Sequence, residues 1–177
     1  MMDRLRRVVT GHDAERRSIV IIDGPPGNRF GSDVSGLAEM WNSEPGPIDG
    51  ADVEDRAAGP VVVEPPAGGS TFRFFAIAPE DPTLSREEQE ERAAAGFAAM
   101  GAAHTRRDTT RHPRMHETRT IDYIILLKGR VKLLLEDDER DLEPFDVIVQ
   151  RGTNHAFINT GDEPALLAAV MVDAEIA

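Results

Sequence analysis

The sequence predicts an all-β protein made mainly of short antiparallel strands, and two observations carry this prediction. Short apolar segments separated by turn residues recur through the second half of the chain and again in the first eighty residues. Only one stretch, which begins at Ser85, has the pattern of a helix. Strands at this spacing are typical of a small antiparallel barrel or sandwich.

The densest run of strand signals lies in the second half of the chain. Residues 122–127 and 130–136 are two apolar segments on either side of Lys128-Gly129, a pattern that predicts a hairpin. A turn is expected at residues 137–139. Further strands are expected through Leu142, over residues 146–150 and over residues 155–159.

The first eighty residues are expected to add strands to this barrel. Residues 6–23 have the pattern of two strands around a turn centred on Gly11, which makes His12 a turn residue. The Gly/Pro/Asp-rich residues 45–60 predict a loop. Additional strands are expected over residues 36–41, 61–63 and 71–78.

The single helix signal begins with a capping box, in which Ser85 is followed three residues later by Glu88. Acidic residues fill the first turns, where the helix dipole favours them, and Gly101 is a suitable stop. The helix ends shortly before the strand that carries candidate site residues. Phe97 and Met100 are therefore expected against the barrel, either closing one side of its mouth or completing its core.

Composition excludes several classes of function. The chain of 177 residues contains no cysteine, so disulfides, thiolate metal sites and a cysteine nucleophile are excluded. A formal net charge of -12 disfavours nucleic acid and anionic membranes as partners, because both require a basic surface. The first residues, MMDRLRRVVT, lack the apolar segment of a signal peptide, and we expect a cytoplasmic protein.

One stretch resembles the first motif of the cupin family, which reads G, five residues, H-x-H, three or four residues, E, six residues, G. His116, Thr118, Asp122 and Gly129 occupy the H, H, E and G positions. Thr118 thus stands where the family has its second histidine, and the shorter Asp122 stands where it has glutamate. The resemblance implies a cupin-type antiparallel β-barrel or jelly roll with extra N-terminal strands and one short helix.

The second cupin motif ends in P-x-G, two residues, H, three residues, N. Gly152, His155 and Asn159 match it, while Gln150 replaces the proline. Together the two motifs make the chain similar to small single-barrel cupins over about residues 110–172.

The resemblance implies a metal site held by His116, Asp122 and His155, because the family holds a divalent metal with these motif positions. Two imidazoles and one carboxylate have the composition of a facial triad with open coordination positions. Fe, Mn, Ni and Zn all suit such ligands, so the metal is not identified. In the alternative interpretation, the two histidines are polar residues in the mouth of a metal-free barrel.

Geometry sets a condition on this metal site. Six residues of straight strand would separate His116 and Asp122 by about 20 Å, so the chain must turn between them. His112 is a further candidate ligand if the strand bends, because extended residues four apart share a side. His104 is expected on the surface.

Four residues beside the expected ligands are candidates for orienting a substrate or moving a proton. They are Tyr123, Thr118, Gln150 and Arg151. Strand alternation weakens the case for Tyr123, which should face away from Asp122.

Two functions compete at this stage. In the first, the protein is a metal-dependent cupin enzyme that acts on a small carbonyl, carboxylate or aromatic substrate by oxygenase, decarboxylase, lyase or isomerase chemistry. In the second, the barrel binds a small molecule without turning it over. The fold class alone does not choose between them.

The chain is expected to divide into N-terminal strands, residues 1–80, and a barrel core, residues 81–177, within one structural domain. The N-terminal strands would pack on the barrel or on a dimer partner. In small cupins such strands often join the sheet of a neighbouring subunit, so the resemblance implies a homodimer.

Overall fold

The structure is a computed structural model that describes residues 2–176. Its secondary structure is mostly strand, and the one α-helix, α1, spans Arg86–Ala99. The strands are β1 (Arg7–His12), β2 (Ser18–Gly24), β3 (Asn28–Gly31), β4 (Gly36–Ser43), β5 (Ser70–Ile77), β6 (Thr120–Lys128), β7 (Val131–Leu135), β8 (Glu139–Leu142), β9 (Val147–Arg151), β10 (His155–Asn159) and β11 (Ala165–Asp173).

Two antiparallel sheets form the barrel. The larger has six strands in the order β3-β4-β5-β11-β6-β9, and the smaller has three in the order β10-β7-β8. Side chains from both sheets share one apolar core, in which Leu126 and Leu167 of the larger sheet pack with Val131 and Phe157 of the smaller one. The expected fold class, an all-β barrel with additional N-terminal strands and one helix, is confirmed.

The predicted hairpin at Lys128-Gly129 is wrong. β6 pairs with β9 and β11, whereas β7 pairs with β8 and β10, so the chain crosses from one sheet to the other at this turn. Gly129 lies at this crossing with a backbone φ of +94°, a conformation that residues other than glycine rarely adopt. The predicted turn after β7 is correct, since β7 and β8 form an antiparallel pair.

The N-terminal strands differ from the expectation in two respects. Gly11 lies within β1, and the turn is residues 13–17, held by the Asp13 carboxylate, which accepts from the backbone N–H of Arg17 at 2.9 Å. β3, Asn28–Gly31, is a strand that the sequence did not predict. It pairs with β4.

Residues 61–63 do not form the predicted strand. The carbonyl oxygens of Val62 and Val63 accept hydrogen bonds from the buried Arg73 guanidinium, at 2.7 and 3.1 Å. These two carbonyl groups therefore accept hydrogen bonds from a side chain instead of from a neighbouring strand. The predicted helix start is confirmed, because Ser85 and Glu88 make both hydrogen bonds of the capping box.

Candidate functional site

A cavity of about 580 Å³ opens between the inner face of the six-stranded sheet, β10 and α1. This volume is within the range of small-molecule sites in proteins. The side chains along its inner wall are mainly apolar. They include Phe75, Ile77, Ile124, Phe157, Ala169 and Met171.

Strand register explains why polar groups meet these apolar ones. Inward-facing positions on neighbouring strands form rows across a sheet. One row at an end of the barrel is mainly polar, and it runs through Thr71, Met171, Asp122 and Gln150. The next row begins with Glu39 and Arg73 and then becomes apolar. The cavity thus has one polar end.

His116 and His155 lie side by side at this cavity. The backbones of the two residues exchange hydrogen bonds of 2.9 and 3.0 Å, which form an isolated bridge at the edge of the three-stranded sheet. Their ring centroids are 4.5 Å apart. Two residues distant in sequence are therefore brought together, as the two motifs imply.

Each of the two rings is oriented by a backbone carbonyl. Nδ1 of His116 lies 2.9 Å from the Arg114 oxygen, and Nδ1 of His155 lies 2.8 Å from the Thr153 oxygen. Because a carbonyl oxygen only accepts, Nδ1 must carry the proton in both rings. A neutral ring with this tautomer has a bare lone pair at Nε2.

Burial keeps both rings neutral. It lowers the pKa of His155 to about 3, and the neighbouring His116 adds to the effect. The pKa of His116 is also lowered, again chiefly by burial. An imidazole that takes up no proton at neutral pH is a poor general base, but it remains a hydrogen-bond acceptor and a potential metal ligand.

Asp122 faces the same cavity from the opposite wall, on β6 of the six-stranded sheet. Its side chain is buried, and Oδ1 has no hydrogen-bond partner among the described residues. Burial raises the pKa of Asp122 to about 6, an effect that a hydrogen bond from Thr120 and the charge of Arg73 only partly offset.

The structure brings together two of the three predicted metal ligands. Within residues 2–176, no group of three or more His, Cys, Asp or Glu side chains is close enough to hold a metal ion. Asp122 stays apart from His116 and His155 because it belongs to the other sheet. The two bare Nε2 atoms have the donor chemistry that a divalent transition metal requires, but a third protein donor does not join them.

None of the four predicted substrate-orienting residues lines the cavity. Tyr123 is 51% exposed on the outer face of β6, and Arg151 is exposed at the end of β9, because alternate strand residues face outward. Neither can touch a molecule inside the barrel.

The other two candidates face inward but are engaged elsewhere. The Thr118 hydroxyl lies 2.7 Å from that of Thr120 and is fully buried. The Gln150 amide donates to the Thr153 carbonyl at 2.7 Å. Thr118 thus holds Thr120, which hydrogen bonds Asp122. Gln150 stabilises the turn before His155.

His112 lines the cavity mouth, but both of its ring nitrogens have partners. Nε2 pairs with Glu80 at 2.9 Å, and Nδ1 accepts from the Arg114 backbone at 3.1 Å. In this arrangement, His112 offers no free lone pair to replace the missing ligand. His104, as expected, lies on the surface, where it pairs with Glu64.

Sequence reasoning missed the buried pair of Arg73 and Glu39. Their side chains lie 3.2 Å apart and are almost fully buried. Burial lowers the pKa of Arg73 and raises that of Glu39, so each depends on the other for its charge. The available signal was a charged residue at an inward position of two apolar strands, GLAEMW and TFRFFAI.

α1 covers one side of the cavity. It has no fully buried residue, and its Phe97 ring packs 4.8 Å from the His116 ring. Phe97 and Met100 both line the cavity. Of the two expectations for these residues, this position fits closure of one side of the barrel mouth. No helix within residues 2–176 is long and apolar enough to cross a membrane.

Comparisons with known proteins give matches to parts of this chain. The family model Cupin_2, described as a cupin domain, matches residues 103–172. Phomopsin biosynthesis cluster proteins C' and D of Diaporthe leptostromiformis are each 50% identical over 46 residues, 25% of this chain. The match spans only 24% of each of these relatives.

Two solved structures are also similar to this chain. A cupin 2 conserved barrel domain protein from Salinispora arenicola is 15% identical, with a TM-score of 0.43, over 83% of this chain and 82% of that one. The cupin domain of Cnp3 from Schizosaccharomyces pombe is 11% identical, with a TM-score of 0.48, over 95% and 87% respectively.

Proposed function

We propose that this chain, whose residues 103–172 match the family model of a cupin domain, binds a small, largely apolar organic molecule inside the barrel. The observation that carries this proposal is the cavity of about 580 Å³, with an apolar wall and a few polar groups at one end. Sites of this kind bury most of a ligand and use sparse polar contacts to orient it.

Gly96 of α1 offers a direct test, because it lines the cavity and a Cβ added there meets no atom within 4 Å. A Gly96→Leu side chain would occupy part of the mouth, its Cβ would meet no neighbouring atom, and leucine would favour the helix. Gly24 of β2 is the matched control. A Cβ added there would also be free of contacts, and Gly24 does not line the cavity.

The experiment measures binding of naphthalene-sized aromatic compounds by calorimetry and ligand-observed NMR. We expect binding to the natural sequence and to Gly24→Leu, and a loss of at least about tenfold in affinity for Gly96→Leu. Equal affinity in Gly96→Leu, or no binding of any compound, would contradict the proposal.

A second candidate function is metal-dependent catalysis on the bound molecule. It is favoured by the two Nε2 lone pairs of His116 and His155, which their carbonyl partners leave available. A divalent metal held there would polarise an oxygen of the substrate. The apolar wall would exclude water, and α1 would limit access from solvent.

Elemental analysis tests this candidate. Untagged protein purified without chelators would be compared with His116→Ala, His155→Ala and the surface control His104→Ala. We expect a near-stoichiometric transition metal in the natural sequence and the control, and its loss in both cavity variants. Metal-free protein, even after addition of Fe(II), Mn(II), Ni(II) or Zn(II), would eliminate the candidate.

A further inference from the structure

α1 covers the cavity without belonging to the core of the barrel. None of its residues is fully buried, and the apolar cluster that joins the two sheets consists of strand residues. The side chains that α1 and its C-cap place along the cavity include Ala93, Gly96, Phe97 and Met100. A helix of 14 residues is marginally stable by itself in water, so the position of α1 depends on its few contacts.

Two charged side chains tie the N-terminal half of α1 to residues 106–113. The Arg86 guanidinium donates to the carbonyl oxygens of residues 109–111. The Glu90 carboxylate accepts from Arg106 at 2.5 Å. Arg86 is exposed and the Glu90 side chain is 39% exposed. Because water competes for contacts of this kind, each contributes little to stability.

Arg106 is the most buried side chain among these contacts, at 9% exposed. It also donates to the Pro113 carbonyl at 2.7 Å, and its guanidinium carbon lies 5.8 Å from the centroid of the Phe97 ring. The Phe97 ring in turn packs on His116. A single guanidinium group thus joins α1, at Glu90 and Phe97, to the segment that leads into His116.

The C-terminal end of α1 is held by the backbone. The Met100 carbonyl accepts from the Val63 N–H at 3.2 Å, and Ala102 is 1% exposed. Gly101, between these two points, has a φ of +68°, and an added Cβ would meet no atom closer than 4.0 Å. A glycine with this freedom, next to a fixed backbone, is suited to act as a hinge.

We propose that α1 is a gate over the cavity, hinged at Gly101, and that the Arg106–Glu90 ion pair is its latch. Release of the latch lets the N-terminal half of α1 move away from residues 106–113 and opens the mouth of the cavity. A ligand that packs against Phe97 and Met100 holds the gate closed, because it binds the closed state more tightly. The ligand's part in this inference rests on the proposed function.

Hydrogen exchange followed by mass spectrometry tests the gate. In the ligand-free natural sequence, the amides of α1 should exchange at least about 100-fold faster than those of β11, because the helix opens while the sheet stays folded. 2-Naphthol is the probe ligand. At ten times its Kd it should slow exchange in α1 by about tenfold, since the open state lacks half of the binding surface.

Glu90→Gln tests the latch, and Glu87→Gln is the matched control. Glu87 is exposed in the first turn of α1, where the helix dipole favours an acid more than at position 90. Loss of helix propensity would therefore affect the control more. We expect Glu90→Gln to speed exchange in α1 by about fivefold relative to Glu87→Gln. In an Arg106→Met background, Glu90→Gln should add nothing, because the pair is already broken.

Stopped-flow fluorescence separates a gate from a simple structural contact. If opening limits both entry and exit, Glu90→Gln should raise the association and dissociation rate constants of 2-naphthol together, by about fivefold, and change Kd by less than about twofold. A contact that only stabilises the bound ligand would change the dissociation rate constant alone. That result would overturn the gate.

The outcomes separate this inference from the function on which it rests. Exchange in α1 as slow as in β11 would overturn the gate and leave the ligand cavity supported. Binding of 2-naphthol that does not slow exchange in α1 would do the same. Equal effects of Glu90→Gln and Glu87→Gln would overturn the latch. If no compound binds, the proposed function is overturned, and exchange in the ligand-free protein still decides whether α1 opens.

Discussion

Asp122 is a carboxyl group whose ionised form the fold disfavours. Its pKa is about 6 in the folded protein, against a usual value of 3.8. Between these values the folded state keeps a proton that the unfolded state has released, so the free energy of unfolding falls as pH rises through this window. This decrease in the free energy of unfolding amounts to as much as ~3 kcal/mol. Asp122→Asn should remove it.

Urea denaturation at pH 4 and pH 7 measures the effect. The variant should gain stability relative to the natural sequence at pH 7 but not at pH 4. An equal difference between the two proteins at both pH values would contradict the shifted pKa of Asp122.

His155 should act on stability with the opposite sign. Its imidazole has a pKa near 3 when folded, against 6.5 ordinarily. Below about 6.5 the unfolded chain takes up a proton that the folded chain does not, so the free energy of unfolding falls as pH falls. His155→Gln should therefore lose less stability than the natural sequence between pH 7 and pH 5.

The matched control is His104→Gln, because His104 is exposed on the surface. Chemical denaturation at the two pH values gives the comparison. If His155→Gln kept the pH dependence of the natural sequence while remaining folded, burial of a neutral His155 would be disproved.

The candidate site could be predicted from sequence only in part. The motif positions of His116 and His155 were sufficient to predict that the two rings meet. The separation of Asp122 could not be read from spacing, because it depends on the distance between two sheets. Arg73 escaped notice because its role depends on Glu39 and on carbonyls in an irregular segment, all distant from it in sequence.

At the scale of elements, the turn between β6 and β7 decides how the sheets are connected. Gly129 has a φ of +94°, and a Cβ there would lie 2.8 Å from Cα and Cβ of Ala165. Gly129→Ala should lower the free energy of unfolding by about 3 kcal/mol, through backbone strain and the clash with β11. Equilibrium urea unfolding provides the measurement.

Gly101, after α1, is the comparison. Its φ is +68°, but the nearest atom to an added Cβ is 4.0 Å away. Gly101→Ala should therefore show only the cost of the backbone conformation, about 1 kcal/mol. Equal losses in the two variants would mean that contact with Ala165 does not matter.

Local patterns predicted most strands, because alternation and turn residues act within a few positions. These local patterns do not predict which strands pair when the partners are far apart in the sequence. Lys128-Gly129 has the composition of a hairpin turn, yet β6 finds its partners in β9 and β11. Nothing near the turn indicates this, because the choice depends on which strands complete each sheet around the shared core.

At the scale of the whole molecule, the outer face of the six-stranded sheet is unusually apolar. Two adjacent rows cross it, one through Phe72, Val170, Tyr123 and Val149 and the other through Phe74, Ala168, Ile125 and Val147. Most of these side chains are exposed. A contiguous apolar face of this kind favours association, and the expected homodimer remains a prediction.

Analytical ultracentrifugation tests that prediction. We expect a dimer that Val149→Lys, on the outer face of β9, converts to a monomer. Val20→Lys is the comparison, because Val20 is exposed on the β1–β2 hairpin, where the resemblance expects exchange with a neighbour. Dissociation by Val20→Lys alone would assign the interface to the hairpin, and a monomeric natural sequence would disprove the dimer.

The position of β11 has a consequence for how the protein forms during synthesis. This strand lies between β5 and β6, and it pairs with both along most of its length. Because β11 follows the other five strands of this sheet in the sequence, it is synthesised after all of them. Until then β5 and β6 have no shared neighbour, and the sheet cannot close. The six-stranded sheet therefore cannot be completed before β11 has been synthesised, and its long-range pairings predict slow folding with strand edges exposed meanwhile.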